Sequence, residues 1–313
     1  MDGLLRVPGD LDAEHADFSR AVAFVDGEYC ALADAKISVR DFGLTHADAT
    51  YDVLHTWKGG FFRLDDHLDR FAASCRGMRL DPGHSRDEIV AILEELVRRT
   101  GLRDTLVSFY CTRGAPPFGS RDPAKARNVF FAHVQPLVLR GTPEEMRRGL
   151  AMRISPDVHR IPVDSVDPRL KNLHWGDFTR ALFVAREQGF DTVVLTDADG
   201  RVAEGPGFNV MALVDGELIA PEAGALEGVS CRTMIELAGE LGIAARYGVL
   251  AADALRDAEE AFITSTSCGL FPVTRIDGRI LGNGAPGPVA SRLLDLYYRK
   301  KDAGWNITPV RGL

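Results

Sequence analysis

Lysine is scarce in this chain. Lys36, Lys58, Lys125, Lys171, Lys300 and Lys301 stand against 31 arginines among 37 basic residues. Where positive charge alone is needed, arginine serves; a lysine can also lose its proton and become a nucleophilic amine. Between Lys125 and Lys300 only Lys171 occurs, in a polar, proline-punctuated loop ahead of an expected helix. A sheltered amine there can condense with a carbonyl compound; an exposed loop lysine fits the same residues. Glu204, in VAEGPGFN, sits where a strand meets a Gly-Pro-Gly turn, so its carboxylate can be held rigidly or simply solvated. Gly228, Val229 and Ser230 open a helix, whose free N–H groups and dipole favour a phosphate or need an ordinary cap. Thr264, Ser265, Thr266 and Ser267 crowd a strand end, as phosphate donors or as a self-satisfied turn.

Together the four features match the needs of pyridoxal phosphate: an amine for the aldehyde, an acid for the ring nitrogen, and donors with an arginine for the phosphate. Protonating the ring makes it an electron sink for a carbanion on the amine-bearing carbon.

These residues need elements to hold them. Asp26-Gly27 predicts a tight hairpin turn, and a second hairpin is expected around Gly59-Gly60. Leu64, Leu68, Phe71 and Cys75 fall at helical spacing, with Asp65 placed to cap. Ser85 and Glu88 form a capping box ahead of the stripe Ile89, Ile92, Leu93, Leu96 and Val97, which Gly101 ends. TLVSFYCTR reads as a buried strand. Arg113 to Arg127 is rich in breakers and suits a mobile loop. Beyond it, strands are expected at NVFFAHVQPLVL, GLAMRIS, DTVVLT and EAFIT, with a hairpin around Asp215-Gly216. Helices are expected over about 177–188, 230–241 and 288–301. No regular βαβ alternation, G-x-G-x-x-G or Walker A loop appears.

The 313 residues carry a net charge of −8 and 45% hydrophobic residues, as in folded proteins of two domains or one large one. No basic run points to nucleic acid, and no stretch of about 18 apolar residues points to a membrane. The N-terminal segment lacks the basic-then-apolar pattern of a secretory signal. Cys30, Cys75, Cys111, Cys231 and Cys268 are odd in number and far apart, which predicts buried free thiols in a reducing cytoplasm. The histidines show no metal-ligand spacing, so no metal is expected.

HADATYDVLHTWKGGFFRLDDHLDRF, DPRLKNLHWGDFTRALF, TDADGRVAEGPGFNV and PVTRIDG carry a resemblance over nearly the whole length. The chain resembles the class IV aminotransferases, the fold-type IV pyridoxal phosphate enzymes, and within them is most similar to (R)-selective amine transaminases. The resemblance implies an α/β (α+β) fold of two domains with the cofactor between them. A smaller N-terminal domain is expected over 1–118, a loop over 119–127, and a larger barrel-like domain over 128–313. It further implies a homodimer or higher homo-oligomer, with Lys171 as the Schiff-base lysine and proton shuttle. Glu204 would bind the pyridine nitrogen and Leu226 would pack on the ring. Arg70, Val229, Ser230 and Thr266 would hold the phosphate. His46, Tyr51 and Trp175 would border the substrate pocket, together with Leu106, Ser108 and Ser267.

Two departures stand out. Val229-Ser230-Cys231 replaces the usual Ile-Thr-Arg, which removes a cation. Leu106 and Ser108 stand where close (R)-amine enzymes have Phe and Glu, and where branched-chain enzymes have Arg at the second position. Arg113 and Arg121 flank the GAPPFGS loop, and Arg121 is expected to meet a substrate carboxylate. The implied activity is transamination from an (R)-amine or amino acid to a 2-oxo acid such as pyruvate. The alternatives are a branched-chain or D-amino acid aminotransferase, and a lyase of the aminodeoxychorismate lyase type.

Overall fold

The computed structural model describes residues 16–222 and 224–313. The chain forms two compact units, each built on one sheet.

The first unit comprises residues 16–138, 170–174 and 304–313. Its elements begin with β1 (Val22–Val25), β2 (Glu28–Ala31), α1 (Phe42–His46), β3 (Ala49–Trp57) and β4 (Gly60–Phe62). They continue with α2 (Leu64–Gly77), α3 (Arg86–Thr100), β5 (Thr105–Ala115) and β6 (Arg127–Pro136). Asp26 and Gly27 both take positive φ (52° and 83°), the geometry a two-residue hairpin demands. The second turn lies one residue earlier than expected, at Lys58-Gly59 (φ 51° and 90°). Gly60 instead opens β4, where a Cβ would come within 2.3 Å of the Ile307 side chain.

Helix α3 carries the expected capping box, with Ser85 and Glu88 each bonding the other's backbone. Helix α2 departs from expectation. Its N-cap is Arg63, in the left-handed region, and no side chain caps it. Asp65 lies inside the first turn, where its charge favours the positive helix end. Alternation along the central strands sends Leu54, Val107, Phe109, Phe130, Ala132 and Val134 into the core that also takes in the apolar stripes of α2 and α3.

The expected boundary at 127/128 falls inside this unit. Strand β6 pairs antiparallel with both β5 and β1, so those pairings place it in the first sheet. The segment expected to be loop is shorter than predicted, since β5 runs on to Ala115 and a bulge follows Thr112.

The second unit holds residues 139–169 and 175–303, with α4 (Pro143–Arg148), β7 (Leu150–Ile154), α5 (Gly176–Glu187) and β8 (Thr192–Val194). Then come β9 (Asn209–Val214), β10 (Glu217–Pro221), α6 (Val229–Glu240), β11 (Ala245–Gly248) and α7 (Ala252–Arg256). Strands β12 (Glu260–Ser265), β13 (Gly269–Ile276) and β14 (Arg279–Ile280) precede α8 (Pro288–Asp302). The sheet order is β11-β10-β9-β12-β13-β7-β8, mixed parallel and antiparallel. Asp215-Gly216 makes the expected hairpin, and Asp277-Gly278 makes one between β13 and β14. Finally β15 (Ile307–Pro309) pairs with β4 at one edge of the first sheet.

Candidate active site

Lys171 lies in the 170–174 segment that belongs to the first unit. Its backbone is pinned on both sides. Its carbonyl accepts from the Tyr51 N–H (3.2 Å) and from Thr50 Oγ1 (2.8 Å), and its own N–H donates to Ser74 Oγ (3.1 Å). Thr50 and Asn172 add an antiparallel bridge. Gly77 leaves room for this segment, since a Cβ there would sit 2.6 Å from a Leu170 methyl. So tethered, the Lys171 amine lies 4.3 Å from the centre of the Tyr51 ring.

Arg70 comes from α2 and meets Asp52 of β3. Nε donates to Asp52 Oδ2 and Nη2 to Oδ1, both at 2.8 Å, a bidentate fork on a fully buried carboxylate. His67 Nδ1 lies 2.8 Å from the same Oδ1. Burial opposes the charge on Asp52, but the Arg70 and His67 neighbours and their hydrogen bonds outweigh it and hold the carboxyl well below the usual range. Burial pushes the His67 imidazole down; Asp52 pulls it back up, while the Arg70 and Lys171 charges push it down again. The net shift is downward, so His67 is neutral at pH 7 and its Nδ1–H donates to Asp52. Asp52 and His67 were not singled out from the sequence. The signal was present in TYD and DDHLDR, but pairing them requires knowing that α2 packs on β3.

The other face of the first sheet carries the expected pocket residues Tyr51, Leu106 and Ser108. Cross-strand register places Tyr110 between Tyr51 and Phe131, and Ser108 between Val53 and His133. Tyr51 stacks on Tyr110 (5.6 Å, 12°), and Tyr110 stacks on Phe131 (4.8 Å, 14°). Burial pushes the His133 imidazole down. His46 is exposed, packs on Phe42 at 4.2 Å and bonds Thr45. Arg113 is committed to structure, forking onto Asp48 and donating to the Met78 and Arg79 carbonyls. Arg121 is exposed.

In the second unit Glu204 is buried, with a fixed carboxylate. Oε2 accepts from the Leu226 N–H (3.0 Å) and Oε1 from Arg160 Nε (3.2 Å). Arg160, also missed from the sequence, is itself buried, donates to Asp177 Oδ2 (2.7 Å) and covers the Phe178 ring at 4.3 Å. The turn after Glu204 admits only glycine at 205, where a Cβ would lie 2.1 Å from the Phe208 ring. Trp175 packs edge-on against Phe178, its ring 3.1 Å from where a Gly207 Cβ would stand.

Asn209 Nδ2 donates to the Leu226 carbonyl, and its Oδ1 occupies the space a side chain at Gly228 would need. That contact sets the start of α6, where no side chain caps the first turn and Val229 and Ser230 stand at its opening. Thr266 and Ser267 form the turn between β12 and β13, with Ser265 Oγ and Ser267 Oγ 3.2 Å apart.

Residues 49–276 match the model of the amino-transferase class IV family. The chain belongs to that family. A branched-chain-amino-acid aminotransferase of Pseudomonas aeruginosa is 28% identical over 282 residues, covering 88% of this chain and 92% of its own. The branched-chain amino acid aminotransferase of Thermobaculum terrenum, in its PLP holo form, superposes with a TM-score of 0.81. It is 27% identical and covers 92% of this chain and 98% of its own. A branched-chain aminotransferase of Thermoproteus uzoniensis with norvaline gives 0.82 at 26% identity, covering 92% and 99%. These relatives bear the branched-chain name, the alternative expectation from the sequence, and not the (R)-amine one.

This class IV aminotransferase is a pyridoxal phosphate enzyme of fold-type IV. Its residues fit that cofactor. A tethered amine, a buried carboxylate with both oxygens engaged and a helix start with no side-chain cap are the donors and acceptors the molecule requires.

The Asp52 cluster makes a pH-dependent prediction. Asp52→Asn should cost about 3 kcal/mol at pH 7, because it leaves a buried guanidinium short of its counter-ion. A carboxyl held low in the folded state contributes stability above its unfolded value and loses it as pH falls through its folded one. The gap between variant and wild type should therefore narrow as pH drops below about 4. Urea unfolding at pH 7 and pH 3 measures it, and an equal gap at both values rules out the ion pair as the cause.

Proposed function

We propose that this enzyme transfers the amino group of an apolar amino acid of the branched-chain kind to a 2-oxo acid. The observation that carries the reading is the sheet face beside Lys171, where Val53, Leu106, Tyr110 and Phe131 outnumber the uncharged polar Ser108 and the burial-lowered His133 and suit an apolar side chain. The branched-chain names of relatives that match this chain nearly end to end support it.

In this proposal the Lys171 amine anchors the cofactor aldehyde and moves the proton to and from the substrate carbon. The Glu204 carboxylate holds the proton on the ring nitrogen, and Leu226 packs on the ring. Arg70, the Val229 and Ser230 N–H groups and the Thr266 hydroxyl take the phosphate. The cofactor, when bound, supplies an electron-withdrawing ring that acidifies the C–H beside the amino group.

A second reading, an (R)-amine donor, is favoured by one observation. Leu106 and Ser108 put no charge on that face, so an uncharged donor would meet no desolvated ion there. Half-reactions decide. L-leucine and L-isoleucine, given alone, should bleach the cofactor's resting absorbance and leave the amine form. D-alanine and (R)-1-phenylethylamine should do so at least about tenfold more slowly, a difference of about 1.4 kcal/mol in barrier. A faster reaction with (R)-1-phenylethylamine supports the second reading, and return to the resting spectrum after donor alone supports a lyase.

Borohydride reduction of the holoenzyme, followed by peptide mapping, should place the cofactor mass on Lys171. Lys171→Ala should lose turnover by at least about 10⁴-fold, since nucleophile and proton carrier go together. A label on another lysine overturns the assignment.

We also propose a homodimer working in the cytoplasm. Phe118, Val39 and Leu44 are 90%, 80% and 60% exposed, and Arg40 ties their loops together by covering Phe118 and donating to the Pro116 carbonyl. An apolar patch of this kind marks an interface, and cysteines left as free thiols suit a reducing compartment. The double variant Val39→Asp/Leu44→Asp should halve the mass seen by light scattering; an unchanged mass places the interface elsewhere.

A further inference from the structure

Arg140 follows β6 and stands apart from the other arginines. Every other arginine that is not exposed among the described residues meets a carboxylate, an amide oxygen or a backbone carbonyl, Arg70, Arg113 and Arg160 among them. Arg140 is half-buried, and among the described residues its guanidinium has neither an ion pair nor a hydrogen bond. The guanidinium lies over the Phe208 ring, 5.1 Å from its centroid, within range of a cation–π contact. Burial pushes its guanidinium down from the usual value, and the nearby Arg186 charge adds to that. The neighbouring Cys268 thiol pulls it partly back up, but burial raises that thiol in turn. A cation sheltered without an anion costs stability unless something arrives to pair with it.

Its position says what arrives. The Arg140 N–H donates to the Ser267 carbonyl (3.0 Å), which fixes its backbone against the turn that holds Thr266 and Ser267. Phe208 belongs to the Glu-Gly-Pro-Gly-Phe segment and packs over Gly205, the residue after Glu204. Arg140 thus touches two of the segments that carry proposed site residues.

We propose that Arg140 receives the carboxylate of the amino-acid and 2-oxo-acid substrates. The inference rests on the aminotransferase reading above and deepens it by naming the specificity residue. A guanidinium fork matches a carboxylate in a bidentate manner. The same fork would also accept a phosphate, so the test separates the two anions.

Holoenzyme is titrated with 4-methylvaleric acid and with the neutral 4-methylvaleramide, followed by calorimetry. Arg140→Gln should raise the Kd of the acid at least about tenfold and leave the amide within about twofold, as loss of a charge-assisted pair requires. Arg140→Lys keeps the charge but not the fork, so it should weaken the acid less than Arg140→Gln does, which shows that the fold tolerates the site. An unchanged acid Kd in Arg140→Gln overturns the proposal in favour of Arg121. Equal weakening of acid and amide makes the arginine a packing residue and also overturns it. Loss of cofactor that added pyridoxal phosphate restores assigns it to the phosphate instead. Because the titration reads binding alone, it stands apart from the half-reactions that test transamination.

Discussion

A buried carboxylate must be given a counter-charge and hydrogen-bond donors, and the first unit is arranged around that requirement. Asp52 lies wholly inside, between β3 and α2, and would be untenable without Arg70 and His67. Satisfying it fixes the rotation of α2, because His67 and Arg70 sit three residues apart on one helical face. That rotation turns Leu68, Phe71 and Cys75 into the core and brings Ser74 to the Lys171 N–H. One ionic contact thereby aims a cation, seats a helix and anchors Lys171.

The second unit solves the same problem with the opposite weighting. Glu204 and Asp177 share the single guanidinium of Arg160, while steric exclusion does the rest. Phe208 forbids a side chain at Gly205, and Asn209 forbids one at Gly228. The carboxylate and the start of α6 are therefore held by lack of space as much as by attraction. Such a site loses little entropy when a ligand arrives, since its groups are already oriented.

Local signals were legible in the sequence to the extent that they act locally. The Asp26-Gly27 and Asp215-Gly216 turns, the Ser85 capping box and the apolar stripe of α3 depend on neighbours within a few residues. The second hairpin slipped by one residue because Lys58 accepts a left-handed conformation that glycine would suit better. The cap of α2 misled for a similar reason: Arg63 takes that conformation while donating its N–H to the carbonyl of Asn306, far along the chain. Lys171 and Glu204 stood out by type and setting, and Arg70 through the family resemblance alone. Their supports, Asp52, His67, Tyr110 and Arg160, did not, because each acts through a partner that only tertiary pairing brings close. Arg140 was the least visible, since its distinguishing property is the lack of a counter-ion among the described residues, which no spacing encodes.

The order of the chain has a consequence for synthesis on the ribosome. Residues 170–174, with Lys171, and residues 304–313, with β15, both complete a unit whose bulk is made first. Until residue 309 emerges, β4 presents an open edge at Gly60–Phe62 where Ile307–Pro309 will later pair. Nascent chains that stall before that point expose backbone donors and acceptors beside the apolar pair Phe61 and Phe62, a template for intermolecular strand addition. The closing strand thus doubles as a quality mark: only a chain translated through it can seal its own sheet.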